Sequence, residues 1–134
     1  MQRFLIFALV LVMSFSAQAQ GDKSFDDDVV TYFKTGNSSS LAGFFSSNLD
    51  LTIQEIDDVY SRAQAEQILK KFFNNHKPTN FTIIHRGTSK MDIRYFIGKL
   101  ETDDEKFRVT LHVKEISGKN FIQQLRIETA DFDF

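Results

Sequence analysis

The segment Lys106–Ile116, which reads KFRVTLHVKEI, decides the fold because its apolar and polar residues alternate up to Lys114. The apolar set is Phe107, Val109, Leu111 and Val113, and the polar set is Arg108, Thr110, His112 and Lys114. Successive side chains of a β-strand point to opposite faces of the sheet, so one face of this strand must pack on a core. The segment therefore predicts a half-buried strand that presents Thr110 and His112 on the face away from that core.

Further strands are predicted on both sides of this segment. Residues 81–86, 93–101 and 121–128 are rich in apolar and β-branched residues, and short spacers with Gly, Asn, Asp or Ser separate them. Such spacers favour hairpins, and hence an antiparallel sheet, over parallel crossovers. An earlier strand is predicted at residues 48–56, where Leu49, Leu51 and Ile53 alternate with polar residues.

Three helices are predicted before these four strands. Ser61 followed by Gln64 has the spacing of a capping box, and an apolar stripe at helical spacing comes next. The stripe consists of Ala65, Ile68, Leu69, Phe72 and Phe73. Two helices precede it, the first ending at Gly36 and a short second one beginning at Ser38. The resulting order α-α-β-α-β-β-β-β predicts an α+β fold with the three helices packed on an antiparallel sheet.

Residues 1–19 have the parts of a secretory signal peptide. Arg3 precedes ten apolar residues, FLIFALVLVM, and small residues then end in Ala17-Gln18-Ala19. Ten residues rise only about 15 Å as a helix, half of a bilayer core, which disfavours a membrane span. We therefore expect export to the periplasm or the cell exterior, with cleavage after Ala19 and a single domain at residues 20–134. No cysteine follows that position, so we expect no lipid anchor.

The composition describes a globular domain, with 42% hydrophobic and 25% charged residues. The absence of cysteine excludes thiol catalysis, Cys-ligated zinc and iron–sulfur chemistry from this chain. Arg3 is the one basic residue of the signal, so 15 Lys and Arg face 18 Asp and Glu afterwards, for a net charge of −3. This balance argues against a nucleic-acid partner recruited by bulk charge.

The order of elements resembles the nuclear-transport-factor-2-like superfamily of the cystatin-like fold, in which a curved antiparallel sheet forms a cone around a long helix. Within it, several motifs resemble an uncharacterised family of exported Bacteroidetes proteins known as a domain of unknown function. They are Asp58-Val-Tyr60-Ser61, Gln64-Ala-Glu66-Gln-Ile-Leu69-Lys70, Phe72-Phe73, Pro78, Phe81, His85-Arg-Gly87, Ile97-Gly98-Lys-Leu100, Phe107-Arg108 and Ile122-Gln-Gln-Leu-Arg126-Ile-Glu128. The resemblance covers nearly the whole mature chain and implies a fold and an exported setting, but no catalytic residues.

Enzymes of that superfamily place ionisable side chains inside the cone, where shielding shifts their pKa values. The residues of this type that a site inside the cone would use are Tyr60, His85 and Tyr95. A second set lies on neighbouring predicted strands and could bind an anionic ligand, a peptide or a partner chain: Arg108, Thr110, His112, Gln124 and Arg126. A solvated face, with its charges balanced by Glu115 and Glu128, is the alternative interpretation of the second set.

No metal site or cofactor is predicted. The three histidines, His76, His85 and His112, lack the paired spacing of zinc ligands. Neither a Gly-x-Ser-x-Gly elbow nor a Gly-x-Gly-x-x-Gly loop occurs.

The central strands carry apolar residues on both faces, because Tyr95 and Ile97 alternate with Phe96. The helices cover one face, and a second copy of the chain would cover the other. We therefore expect an exported, non-catalytic binding or assembly module that forms a homodimer. The alternative is a small-molecule isomerase or hydratase with its site inside the cone.

Overall fold

The computed structural model describes residues 21–89 and 91–131 and shows helices packed on one face of a six-stranded sheet. The elements in chain order are α1 (Gly21–Lys34), α2 (Ser38–Ala42), β1 (Phe45–Ile53), β2 (Ile56–Ser61), α3 (Arg62–Asn75), β3 (Pro78–Thr88), β4 (Arg94–Thr102), β5 (Lys106–Ile116) and β6 (Lys119–Thr129). The predicted α+β class is confirmed. The predicted signal peptide, with Ala17 and Ala19, lies outside the described residues.

Helix α3 begins where the capping box predicted. Ser61 is the N-cap, its Oγ accepts from the Gln64 backbone N–H, and the Gln64 side chain accepts from the Ser61 N–H. His76 is the C-cap and comes two residues before Pro78, which cannot continue a helix. The buried residues of the helix are Ala65, Leu69, Phe72 and Phe73, so the predicted stripe does face the core.

Helix α1 is closed by Gly36, as predicted. Gly36 has a φ of 65°, and its N–H donates to the Phe33 carbonyl while the Asn37 N–H donates to the Tyr32 carbonyl. These two bonds form a Schellman motif, which requires the left-handed conformation that glycine adopts without strain. Asn37 then caps α2 by accepting from the Ser40 N–H, so the cap lies one residue before the predicted serine run.

The predicted strand order lacks one strand. The chain at residues 48–56 is not one strand: β1 and β2 form a hairpin that turns at Gln54, whose φ is 54°. Almost every residue of β2 is exposed, so this strand has no apolar alternation by which the sequence would reveal it. A non-glycine residue in the left-handed region also gives no turn signal.

The sheet order is β2-β1-β6-β5-β4-β3. Every neighbouring pair is antiparallel except β1 with β6, which is parallel and pairs Leu51 with Leu125 and Ile53 with Ile127. The expectation of an entirely antiparallel sheet is therefore corrected at this one pair. Strand β2, helix α3 and strands β3 to β5 separate β1 from β6 in the chain, and a connection of this length permits parallel pairing.

Aromatic rings fill the space between the helices and the sheet. The Phe33 ring stacks on Phe81 at 4.7 Å between centroids and meets Phe73 edge-on at 6.1 Å. Phe72 meets Phe107 edge-on at 5.0 Å. All five residues are at most 5% exposed. Because each ring fills a large volume, this interior is packed with side chains.

Within the described part of the chain, none of the helices has the length and apolar character needed to cross a membrane.

Candidate functional site

The candidate interface residues lie together on the sheet face opposite the helices. In β5 the inward side chains of Val109 and Leu111 are fully buried, which directs Thr110 and His112 outward. Strand pairing places further residues of β3, β4 and β6 beside them. We call this surface the outer patch; it consists of His85, Tyr95, Ile97, Thr110, His112, Gln124 and Arg126.

The register arranges most of the outer patch in two rows. Tyr95 of β4, His112 of β5 and Gln124 of β6 lie directly opposite one another and form the first row. The second row places Thr110 between Ile97 and Arg126. Directly opposed side chains have Cβ atoms about 4.5–5.5 Å apart, so each row is continuous. Arg108 lies one step further along β5, opposite Lys99 and Glu128.

The Tyr95 ring lies over Gly87 of the edge strand β3. Tyr95 pairs with Gly87, and a Cβ at Gly87 would collide with the Tyr95 ring. The ring lies beside His85, with 5.7 Å between ring centroids and 3.4 Å between the His85 Nε2 and the tyrosine hydroxyl. The strand predicted at residues 81–86 is longer in the structure and includes Gly87, whose lack of a side chain leaves room for the Tyr95 ring.

Charged residues surround one end of the outer patch. Arg126 pairs with Glu128 at 3.0 Å, and Lys99 with Glu101 at 3.4 Å. A hydrogen bond from the Asn80 amide, aided by Lys99, holds the pKa of Glu101 below its ordinary value. Since the pairs are exposed or partly exposed, they contribute little to stability and mainly set the charge pattern of the surface.

The candidates for a site inside the cone do not come together. Tyr60 is partly buried and lies opposite Leu49 on β1, where it packs against the core. His85 lies on the opposite face of the sheet and is exposed, and Tyr95 lies beside it. These three side chains therefore do not line one cavity.

Two contacts between residues far apart in the chain were not predicted from the sequence. The His76 imidazole lies 2.8 Å from Asp104, and its hydrogen bond to Asp104 is the main cause that lowers the pKa of that carboxyl. The Arg94 guanidinium lies over the rings of Phe25 and Phe96, at 5.7 and 5.5 Å from their centroids, and donates to Asn120. No local motif could reveal them.

A cleft of about 720 Å³ lies at the end of the sheet near the β4–β5 turn. Acidic residues predominate among its charged lining residues, which are Glu101, Asp103, Asp104, Glu105, Lys106 and Asp131. None of the outer-patch residues contributes to it. Among the described residues, no three His, Asp or Glu side chains are placed to hold a metal ion.

Comparison with known proteins identifies relatives. The family described as a domain of unknown function (DUF4783) matches residues 26–128. The crystal structure of a DUF4783 family protein from Bacteroides fragilis is 32% identical, covers 77% of this chain and 96% of its own, and superposes with a TM-score of 0.72. A DUF4783 family protein from Bacteroides uniformis is also 32% identical, over 79% of this chain and 97% of its own, with a TM-score of 0.72.

A more distant structure shows the fold alone. An NTF-2 like protein of unknown function from Silicibacter pomeroyi is 14% identical, covers 81% of this chain and 92% of its own, and has a TM-score of 0.58. No curated protein matches the chain. The resemblances predicted from the sequence are confirmed, and the chain belongs to the DUF4783 family, a domain of unknown function with the nuclear-transport-factor-2-like fold.

Proposed function

We propose that this protein is an exported, non-catalytic binding or assembly module that forms a homodimer through the outer patch. In this proposal residues 1–19 are removed as a signal peptide, and residues 20–134 form the working domain. The observation that carries the proposal is the outer patch itself. Tyr95, His112 and Gln124 form one continuous row across three adjacent strands, and all three are partly buried within the single chain.

The packed interior supports a non-catalytic role. A general acid or base needs shielding and access to substrate at the same time. Here Phe33, Phe72, Phe81 and Phe107 fill the space in which such a group would work. His85, which a site inside the cone would use, is on the exposed face instead.

The character of the outer patch supports a protein partner. Tyrosine and arginine are enriched in protein–protein interfaces, where apolar centres are surrounded by polar rims. The patch shares parts of this arrangement, since the apolar Ile97 lies beside Thr110 in its second row and ion pairs of Glu101 and Glu128 lie at one end. A two-fold axis would place the patch of one copy against the same patch of the second, which is the commonest symmetry of soluble oligomers.

Sedimentation equilibrium of residues 20–134, with and without Thr110→Arg, tests the proposal. We expect the unmodified domain to sediment as a dimer. Arginine at the centre of the patch, beside Arg126, should raise the dimer Kd at least tenfold, about 1.4 kcal/mol. Met91→Arg is the matched control because Met91 is 76% exposed in the turn between β3 and β4. Circular dichroism verifies that both variants fold.

Two results would contradict the homodimer. One is a monomer at every concentration. The other is a dimer that Thr110→Arg and Met91→Arg weaken equally, which would place the interface elsewhere. A monomer whose outer-patch amide signals shift when a small anion or a peptide is added would instead support the ligand-binding alternative.

A further inference from the structure

The two rows of the outer patch continue beyond β6 onto β1 and β2. Leu51 of β1 is fully buried, so its neighbours Asp50 and Thr52 point to the outer face of the sheet. Asp50 continues the first row and pairs with Val59 of β2. Thr52 continues the second row and pairs with Asp57, to whose carboxylate its hydroxyl donates at 3.0 Å. Both rows therefore cross the sheet from the β2 edge to the β3 edge.

The two ends of these rows have complementary chemistry. Asp50 and Asp57 are exposed and make the β2 end acidic. At the β3 end, the His85 Nε2 and the Tyr95 hydroxyl lie 3.4 Å apart, and whichever of the two donates to the other, one N–H or O–H donor remains for a carboxylate. Five strand spacings separate the ends, about 24 Å, so the acidic end cannot reach these donors within its own chain.

This pattern distinguishes two ways of pairing the outer faces of two copies. Sheets that pack face to face in the aligned manner keep their strands within about 30° of each other, so a two-fold axis runs either across the strands or along them. An axis across the strands, between the two rows, sets each strand on itself. The acidic ends of both copies would then meet, and Arg108 would face Lys114 of the second copy, which is unfavourable.

An axis along the strands, between β5 and β6, reverses the strand order across the interface. It sets β2 on β3, β1 on β4 and β6 on β5 of the second copy. In the row beyond Thr110, Glu128 of β6 then faces Arg108 of the second copy, which carries the opposite charge. This axis thus brings complementary groups together at both ends and near the centre.

We propose that the homodimer has its two-fold axis along the strands, so that the acidic end of each copy binds the His85–Tyr95 pair of the other. This rests on the homodimer proposed above and adds the residues that meet across it. Asp57 lies against His85 of the second copy, and Asp50 lies against Tyr95 of the second copy. Val59, which is 60% exposed in the single chain, is covered where it meets the β3 edge of the second copy.

Exchanging charge at two positions tests this geometry. Asp57→Lys removes an acceptor, and His85→Glu sets a carboxylate against Asp57 of the second copy. Each variant of residues 20–134 alone should raise the dimer Kd about threefold or more in sedimentation equilibrium, because two contacts change in every dimer. In an equimolar mixture, heterodimers pair the new lysine with the new glutamate and keep the original contact at the other end. We expect the mixture to recover the Kd of the unmodified domain.

Asp58→Lys is the matched control. It makes the same charge change at the neighbouring exposed residue of β2, which pairs with the buried Leu51 and so points away from the outer face. Asp58→Lys should leave the Kd unchanged, and mixing it with His85→Glu should not restore dimerisation. Circular dichroism verifies that all three variants fold.

The outcomes separate this geometry from the homodimer itself. An unmodified domain that stays monomeric contradicts the homodimer and the geometry together. A dimer that Asp57→Lys or His85→Glu leaves unchanged, or that both weaken without recovery on mixing, keeps the homodimer and overturns the axis along the strands. Recovery that Asp58→Lys provides equally well would mean that overall charge, and not this contact, causes the effect, and it overturns the proposal too.

Discussion

Gly98 lies in the middle of β4 with the ring of Phe81 directly over it. A Cβ at Gly98 would collide with that ring, and the neighbouring inward residues Phe96 and Leu100 are buried on the same face. The position is thus closed to any side chain, because Phe81 already fills the volume that the side chain would occupy.

We expect Gly98→Ala to lower the free energy of unfolding by about 1–3 kcal/mol, the range for overpacking a core. In a Phe81→Leu background the same change should cost less, because the ring that it meets is gone. Urea denaturation of the two single variants and the double variant measures the difference. Equal costs in the two backgrounds would show that the ring is not the cause.

At the scale of single elements, α3 depends on its N-terminal cap. Ser61→Ala removes the Oγ that accepts from the Gln64 N–H, and we expect a loss of about 1 kcal/mol in the free energy of unfolding. Gln67→Ala is the control in the same helix. Gln67 is exposed and outside the cap, so its change should stay within about 0.5 kcal/mol. Urea midpoints that fall equally for both variants would contradict the role of the cap.

The elements that the sequence predicted best are those whose signals are local. The bounds of β5 agree with the prediction because its alternation is uninterrupted, and α3 begins at the predicted box because cap and stripe occur together. Strand β2 was missed because its residues are mostly exposed and belong to a strand only through pairing with β1.

The predictions for the candidate residues divide in the same way, into those that rest on a local pattern and those that depend on strand pairing. The alternation in β5 was enough to predict that Thr110 and His112 point away from the helices. The pairing of Gln124 with His112, and of Arg126 with Thr110, depends on the register of β6, which shifts at His112 and Val113. The proximity of His85 to Tyr95 depends in turn on Gly87 pairing with Tyr95 across the edge of the sheet.

At the scale of the whole molecule, His76 and Asp104 tie the end of α3 to the β4–β5 turn. The hydrogen bond from His76 lowers the pKa of the Asp104 carboxyl in the folded state, and Thr102 lowers it further. The folded state therefore binds this proton less readily than the unfolded chain does. The contribution to stability is present above the unfolded value, about pH 4, and is lost as the pH falls through the folded value.

Asp104→Asn should lower Tm at pH 6 and lose this difference from the unmodified protein in strong acid. Thermal unfolding followed from pH 6 to pH 2 measures the effect. Asp103→Asn makes the same charge change at the neighbouring exposed position and serves as the control. A constant Tm difference across that range would mean that Asp104 stabilises the fold without its charge.

The sequence by itself determined the helices, the strands other than β2, and the buried faces of α3 and β5, because periodicity, capping and turn chemistry act between residues a few positions apart. It also indicated that phenylalanine would fill the core, because the chain contains 15 of these residues. Only the tertiary structure decided the presence of β2, the parallel pairing of β1 with β6, and the separation of Tyr60 from His85 and Tyr95. The last two features involve residues tens of positions apart, and all three depend on how strands pair and helices pack across the whole chain.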